Sequence, residues 1–415
     1  MKHDVMKALA AARPERLDPP ADPAAARERR ERDLGRVFQE DREPVRSAGR
    51  RRPVRWTVFG AGALAAGAAA AVAITAVGAG SPAPSSPGAS VDLGKQAVLA
   101  AAEQAAAQPT GKYWYSHKIH GLTYIVRPAS GSYAIVGAHT ELFRWTGAEP
   151  GAGEAVYGRE IPARPLTPRD EKLWRKAGSP STFKVWSNDH YATYGRGATK
   201  WKADPPDAAG GGEFFVSGSG RSLTTEQIQK LPSDPERLAA LFLDPVRDPV
   251  TRKRQMMKKL GVKDDLPPDP GACGSAATSV SRAKVDRAET LLMDAPLPPK
   301  VRSGLMRALA GQPGVESIGE TTDVLGRAGV ALASAGYTAC RTDEHGPASE
   351  RGRYGSRDVL IFDRETGRPL ASQQVLTEPG GPYRDREPGF VISYRVVRDL
   401  GWTDDKPEPP AKLPF

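Results

Sequence analysis

With 415 residues the chain is too long for a single ordinary domain. An apolar share of 39% and a charged share of 26% exclude a wholly disordered polymer, while 43 Gly and 38 Pro demand many loops. The net charge of +10 is concentrated: residues 1–55 hold 15 Lys/Arg against 10 Asp/Glu, which reads as attraction to anionic lipid and not to nucleic acid.

Residues 1–55 form a charged tail broken by Pro14, Pro19, Pro20 and Pro23. A short helix is expected from Asp4 to Ala12. A second is expected from Pro23 to Glu40, with a small apolar face of Leu34, Val37 and Phe38. That face is too small for a core and suits a docking helix for a cytoplasmic regulator within an otherwise disordered tail. The tail holds His3 and no Cys, so it contains no zinc ligand set.

Residues 56–79, Trp56 to Ala79, carry no Asp, Glu, Lys, Arg or His. A helix of that length reaches about 36 Å, enough for a hydrocarbon core of about 30 Å. Arg50, Arg51, Arg52 and Arg55 precede it, and no charge follows until Asp92. Basic flanks stay inside the cell, so the N-terminal tail is expected in the cytoplasm and the rest outside, in a single pass through the cell membrane. An apolar stretch that begins after 55 residues also fits an uncleaved anchor better than a signal peptide.

Residues 80–91 read as a Pro/Ser linker. Asp92 caps a helix expected to reach about Gln108. "KYWYSHKIHGLTYIVR" and "YAIVGAHTELFRWTG" have strand character. Thr167 and Pro168 open a short helix, and "STFKVWSNDHYATYGR" and "GEFFVSGSG" return to strands. "LTTEQIQKLPSDPERLAALFLD" gives two helical pieces, the second capped by Ser233 or Asp234. Val285, Ala288 and Leu292 mark another helix, and Pro299 starts one more, stopped by Gly311.

Strands are then expected over 315–318, 329–334, 359–362, 369–376 and 390–397, with "RETG" as a hairpin turn. The fold class this predicts is α+β: an antiparallel sheet covered on one face by helices. It is divided into extracytoplasmic subdomains 92–262 and 275–402 and followed by a disordered C-terminal tail, 403–415.

"AAEQAAAQPTGKYWYS", "EQIQKLPSDPERLAALF", "PLPPKVRSGLMRALAGQPGVESIGETTDVLGRAGVAL" and "LIFDRETGRPL" together resemble a family of actinobacterial single-pass membrane proteins. Its members are often encoded near extracytoplasmic-function sigma factors. The resemblance implies an external sensory or binding domain in cell-envelope signalling, and it brings no catalytic residue. Helix-on-sheet domains that bind lipid or exported proteins outside the membrane are similar in element order, which makes a chaperone-like anchored binding domain the alternative.

Cys273 and Cys340, the only cysteines, fall in the external region and are the disulfide candidates. His117 and His120 are three apart on a strand, so they point to opposite faces and do not ligate a metal together; strand histidines of this kind read as exposed. No metal or cofactor site is expected. The aromatic zone from Tyr113 to Tyr194 is expected to be mostly core, with a minority lining a groove for an apolar or peptide ligand. Without a catalytic constellation, the chain reads as a non-enzymatic protein; a polar cleft with converging carboxylates is the feature that would argue otherwise.

Overall fold

Tyr113 of the first strand pairs with both Thr403 of the last strand and Gly147 of the second, and that double pairing organises the fold. A computed structural model describes residues 92–149, 151–187, 190–204, 213–217, 219, 221–245, 280–341 and 346–415. The chain divides into two units, Met1–Pro84 and Ser85–Phe415, and every described residue belongs to the second. The expected tail, membrane helix and basic flank (Arg50, Arg51, Arg52, Arg55), the linker 80–91, and Cys273 lie outside the described residues. Among the described residues no helix is long and apolar enough to cross a membrane.

The first helix, α1 (Leu93–Ala106), begins where expected: the Asp92 carboxylate accepts from the Lys95 backbone N–H. It leads into β1 (Tyr113–Val126), β2 (Tyr133–Gly147), β3 (Glu154–Glu160) and the two-residue β4 (Arg164–Pro165). Helix α2 (Pro168–Lys176) carries the Thr167 cap and Pro168 at its first position. The hairpin β5 (Thr182–Ser187) and β6 (His190–Gly195) follows, then β7 (Lys202–Ala203) and the hairpin β8 (Glu213–Val216) and β9 (Arg221–Thr224).

Helix α3 (Thr225–Gln229) has a capping box between Thr224 and Gln227. Helix α4 (Pro235–Leu238) is capped by Asp234 and widens into a π-helical turn at Ala239–Leu243. Two longer helices come next, α5 (Val280–Asp294) and α6 (Pro299–Ala310). The remaining strands are β10 (Val315–Thr322), β11 (Ala328–Ser334), β12 (Tyr337–Arg341), β13 (Gly352–Phe362), β14 (Pro369–Glu378) and β15 (Val391–Thr403).

Eleven strands make one antiparallel sheet in the order β10-β11-β13-β14-β15-β1-β2-β3-β7, with β12 added to β13 and β4 to β2. The α+β class expected from the sequence is therefore present. Residues 92–262 and 275–402 contribute to the same sheet, because β15 hydrogen-bonds to β1 on one side and to β14 on the other. Of residues 403–415, expected as a disordered tail, Thr403 ends β15 and the segment after it lies against the sheet: the Lys112 N–H donates to Asp404, and Trp201 and Arg159 hold the carbonyls of residues 410–412.

The largest core lies between the sheet and the helices. Val98 and Ala102 of α1, Val285 and Leu292 of α5, and Leu305 and Leu309 of α6 pack on Trp114, Leu332, Leu360 and Leu400. Full burial of each large aliphatic side chain contributes roughly 1.5–3 kcal/mol.

Candidate functional site

Helix α5 is buried nearly all round, yet only part of it is apolar. Val285, Ala288 and Leu292 form its hydrophobic stripe. Next to that stripe runs a polar one, Arg282, Asp286, Glu289 and Asp294, and it faces the sheet.

Arg282 Nε donates to Asp358 of β13 at 2.9 Å. Ser372 of β14 donates to Glu289 at 2.9 Å, and Arg395 of β15 places Nη1 2.9 Å from the same carboxylate. Asp294 pairs with Lys118 of β1, and the neighbouring Met293 carbonyl accepts from Ser116 of β1 at 2.9 Å. These contacts follow the strand order β13, β14, β15, β1. Twelve helical residues rise about 18 Å and three strand spacings cover about 14 Å, so a helix crossing obliquely can touch four strands in turn.

A cavity of about 390 Å³ opens beside this seam, lined by His120, Arg282, Glu289, Asp358, Gln374 and Arg395 among others. A second, of about 460 Å³, shares His120 and Arg395 and adds Lys118, Arg144, Phe214 and Asp294. At the rim β2 bulges, setting Ala138 and His139 opposite Gly121. Ala138 takes a positive φ of 43° there. Gly121 is required, since a Cβ would lie 2.6 Å from the Tyr394 ring and from Val136.

The ionisable groups of this cleft are displaced from their ordinary values. Burial, reinforced by the Arg395 charge, lowers Lys118 to about 7. Burial raises Glu289, partly offset by Arg395 and by the Ser372 hydroxyl. Asp358 also moves up through burial, against the pull of Arg282. Burial and the Lys118 and Arg395 charges lower His120 to about 3, so its ring is neutral at physiological pH. Its Nε2 is buried and has no hydrogen-bond partner among the described residues. A neutral imidazole in that setting can donate or accept one hydrogen bond but does not change charge.

Sequence reasoning places His117 and His120 on opposite faces, and the structure agrees, but neither is exposed. His117 Nε2 lies 2.6 Å from Glu141 on the far side of the sheet, and its side chain is 12% exposed. Cys340 sits in β12 and is disulfide-bonded; the chain's one other cysteine, Cys273, lies outside the described residues. Among the described residues no three His, Cys, Asp or Glu side chains are grouped to hold a metal ion.

The cleft residues themselves escaped the sequence reading. Polar residues on a helix and in an alternating strand read as solvent faces, and only the unusual charge density of both elements was available as a signal.

The cleft has the carboxylates that an enzyme would need, but each is already engaged. Glu289 is held by Ser372 and Arg395, Asp358 by Arg282 and Tyr337, Asp294 by Lys118, and Asp286 by Ser217. The hydroxyls of Ser372, Tyr337 and Ser217 each donate to one of these carboxylates, and none of the three is paired with an imidazole among the described residues. The arrangement suits recognition of a ligand with both donors and acceptors. No family model matches the chain, and no curated protein matches it.

Proposed function

We propose that residues 85–415 are the external binding domain of a single-pass membrane protein that senses a small, polar, charged molecule in the cleft between α5 and the sheet. The cleft itself carries this reading. It is a cavity of about 390 Å³ between a helix and five strands, walled by Arg282, Glu289, Asp358 and Arg395, and lined by His120, whose buried Nε2 has no partner among the described residues. Burying that many ions costs free energy that a core of hydrophobic residues would not, which is the mark of a site kept for binding. The disulfide at Cys340 supports an oxidising compartment, in line with an external location. The link to a cytoplasmic sigma-factor-type regulator rests on the family resemblance and on the docking helix that the sequence leads one to expect in the tail. The charged walls favour a polar ligand over the acyl chains of the lipid-binding alternative, and the engaged carboxylates favour binding over catalysis.

The test is a thermal-unfolding screen of the full chain in detergent against charged envelope metabolites. At least one should raise the unfolding midpoint, and the rise should vanish in Arg395→Ala and shrink in His120→Phe. A midpoint unmoved by every compound, or a rise retained by both variants, overturns the cleft assignment. Protease treatment of intact protoplasts should remove the 85–415 unit and spare residues 1–55; survival of that unit overturns the topology.

A further inference from the structure

The opposite face of the same strands carries a second arrangement. There the alternate residues are aromatic: Tyr113 and Tyr115 of β1, Phe143 and Trp145 of β2, and Tyr157 of β3. Tyr115 stacks on Phe143 at 6.3 Å, and Trp145 meets Tyr113 edge-on at 5.7 Å. Trp201 extends the stripe beyond His117.

Residues 406–415, "KPEPPAKLPF", lie on it without helix or strand. Pro407, Pro409 and Pro410 are half-buried, while Lys406, Glu408 and Lys412 are exposed. Proline fixes φ near −65° and favours an extended three-residue turn, which places Pro407 and Pro410 on one face.

The contacts read the chain's backbone. Trp201 donates its indole N–H to the Pro410 carbonyl at 2.8 Å. Arg159 donates to the Lys412 carbonyl at 2.6 Å and to that of Ala411 at 3.4 Å. Arg159 is 7% exposed, is fixed by Glu141 at 2.5 Å, and stacks 4.3 Å over Trp201. Lys406 lies 4.7 Å over Trp145, and Phe415 packs under the Arg164 guanidinium at 3.7 Å beside His139.

Aromatic walls plus an indole donor to a proline-segment carbonyl are the chemistry by which preformed proline-rich helices are recognised. Arg159 is held in place by buried partners, so little ordering is needed when it meets a carbonyl.

We infer that this face is a docking groove for an extended proline-rich segment of another polypeptide, and that residues 406–415 occupy it as a built-in competitor. A tethered occupant sees the groove at a high effective concentration, so the free groove is exposed only when the segment is released or outcompeted. The incoming segment resembles the occupant: Pro-x-x-Pro spacing, a basic residue beyond it, and an aromatic residue that reaches Arg164. This surface is separate from the polar cleft, and neither assignment depends on the other.

The probe is a fluorescent peptide with the sequence of residues 404–415. A chain ending at Thr403 should bind it at least tenfold more tightly than the full chain does. Binding should fall at least tenfold for a peptide with alanine at the positions of Pro407 and Pro410, and likewise for Trp201→Phe, which keeps an aromatic ring and loses the donor. Should the shortened chain fail to fold, the full chain carrying Pro407→Ala and Pro410→Ala should bind the unaltered peptide at least tenfold better than the parent. Equal binding of the proline and alanine peptides, or no peptide binding by a folded shortened or substituted chain, overturns the groove. A dimer of the full chain that disappears on shortening would make a second copy the occupant and overturn the built-in competitor.

Discussion

Arg395 Nη1 lies 2.9 Å from Glu289 Oε1, and through this contact β15 is joined to α5 across the candidate cleft. The two partners are not equivalent. Glu289 is 8% exposed at its side chain, whereas Arg395 is 36% exposed. Removing the arginine leaves a buried carboxylate with only the Ser372 hydroxyl, whereas neutralising the glutamate leaves an arginine that still reaches water.

Arg395→Met should therefore destabilise the protein by about 2–3 kcal/mol, and Glu289→Gln by about 1 kcal/mol. The double variant should cost less than the two single changes together by about 1 kcal/mol or more. Urea unfolding of the four proteins measures this. Strict additivity would mean that the pair does not act as a unit.

Lys118 gives a signed pH dependence. Its folded pKa of about 7 lies below the 10.5 of an unperturbed lysine. Between those values the unfolded chain holds a proton that the folded chain has released, so this group makes stability rise with pH across that window. Below pH 7 both states are protonated, and the cost of burying the ammonium, offset in part by its pairing with Asp294, is present. Lys118→Met should be more stable than the parent at pH 6, by about 2 kcal/mol or more, with the gap closing toward pH 10. A gap that stays constant from pH 6 to 10 would place Lys118 in a solvated setting instead.

His120 works in the acid range. Its folded pKa of about 3 lies below the ordinary 6.5, so the unfolded chain takes up a proton first as the pH falls. Stability contributed by the neutral ring is complete above pH 6.5 and is lost progressively down to about pH 3. His139, lowered to about 4 by burial despite its hydrogen bond to the Pro162 carbonyl, adds a loss of the same sign. Replacing His120 with Asn should flatten the decline between pH 6 and 4. Equal slopes for variant and parent would show that the ring is hydrated.

Much of the fold was legible because local chemistry and tertiary structure agree. Asp92, Thr167 and Asp234 cap helices as their positions suggest. Pro299 and Gly311 bound α6, and Asp363 closes the "RETG" turn by accepting from the backbone N–H groups of Glu365 and Thr366. β3 was missed because its alternation is weak; it is placed by register with β2, a long-range fact.

The cleft was missed for a related reason. Periodicity separates apolar from polar residues, and it cannot tell a polar stripe facing water from one facing Lys118 and Arg395. The end of the chain was misread because proline and lysine look solvent-loving until Trp201 and Arg159 are brought beneath them.

Gly304 is a case in which propensity and packing oppose each other. It lies inside α6, where Gly is about 1 kcal/mol worse than Ala. By propensity alone, Gly304→Ala should stabilise the protein. A Cβ at this position, however, would meet the Ser233 carbonyl oxygen at 2.2 Å and the Leu238 side chain at 2.8 Å. The first of these is backbone at the start of α4, held by the Asp234 cap, so it cannot simply rotate away. The steric term should win: Gly304→Ala is expected to cost about 2–3 kcal/mol, whereas Gly197→Ala, with nothing within 4 Å, should change stability by less than about 0.5 kcal/mol. Thermal unfolding of the two variants side by side decides it; a Gly304→Ala protein as stable as the parent would mean that α4 and α6 are not in such close contact.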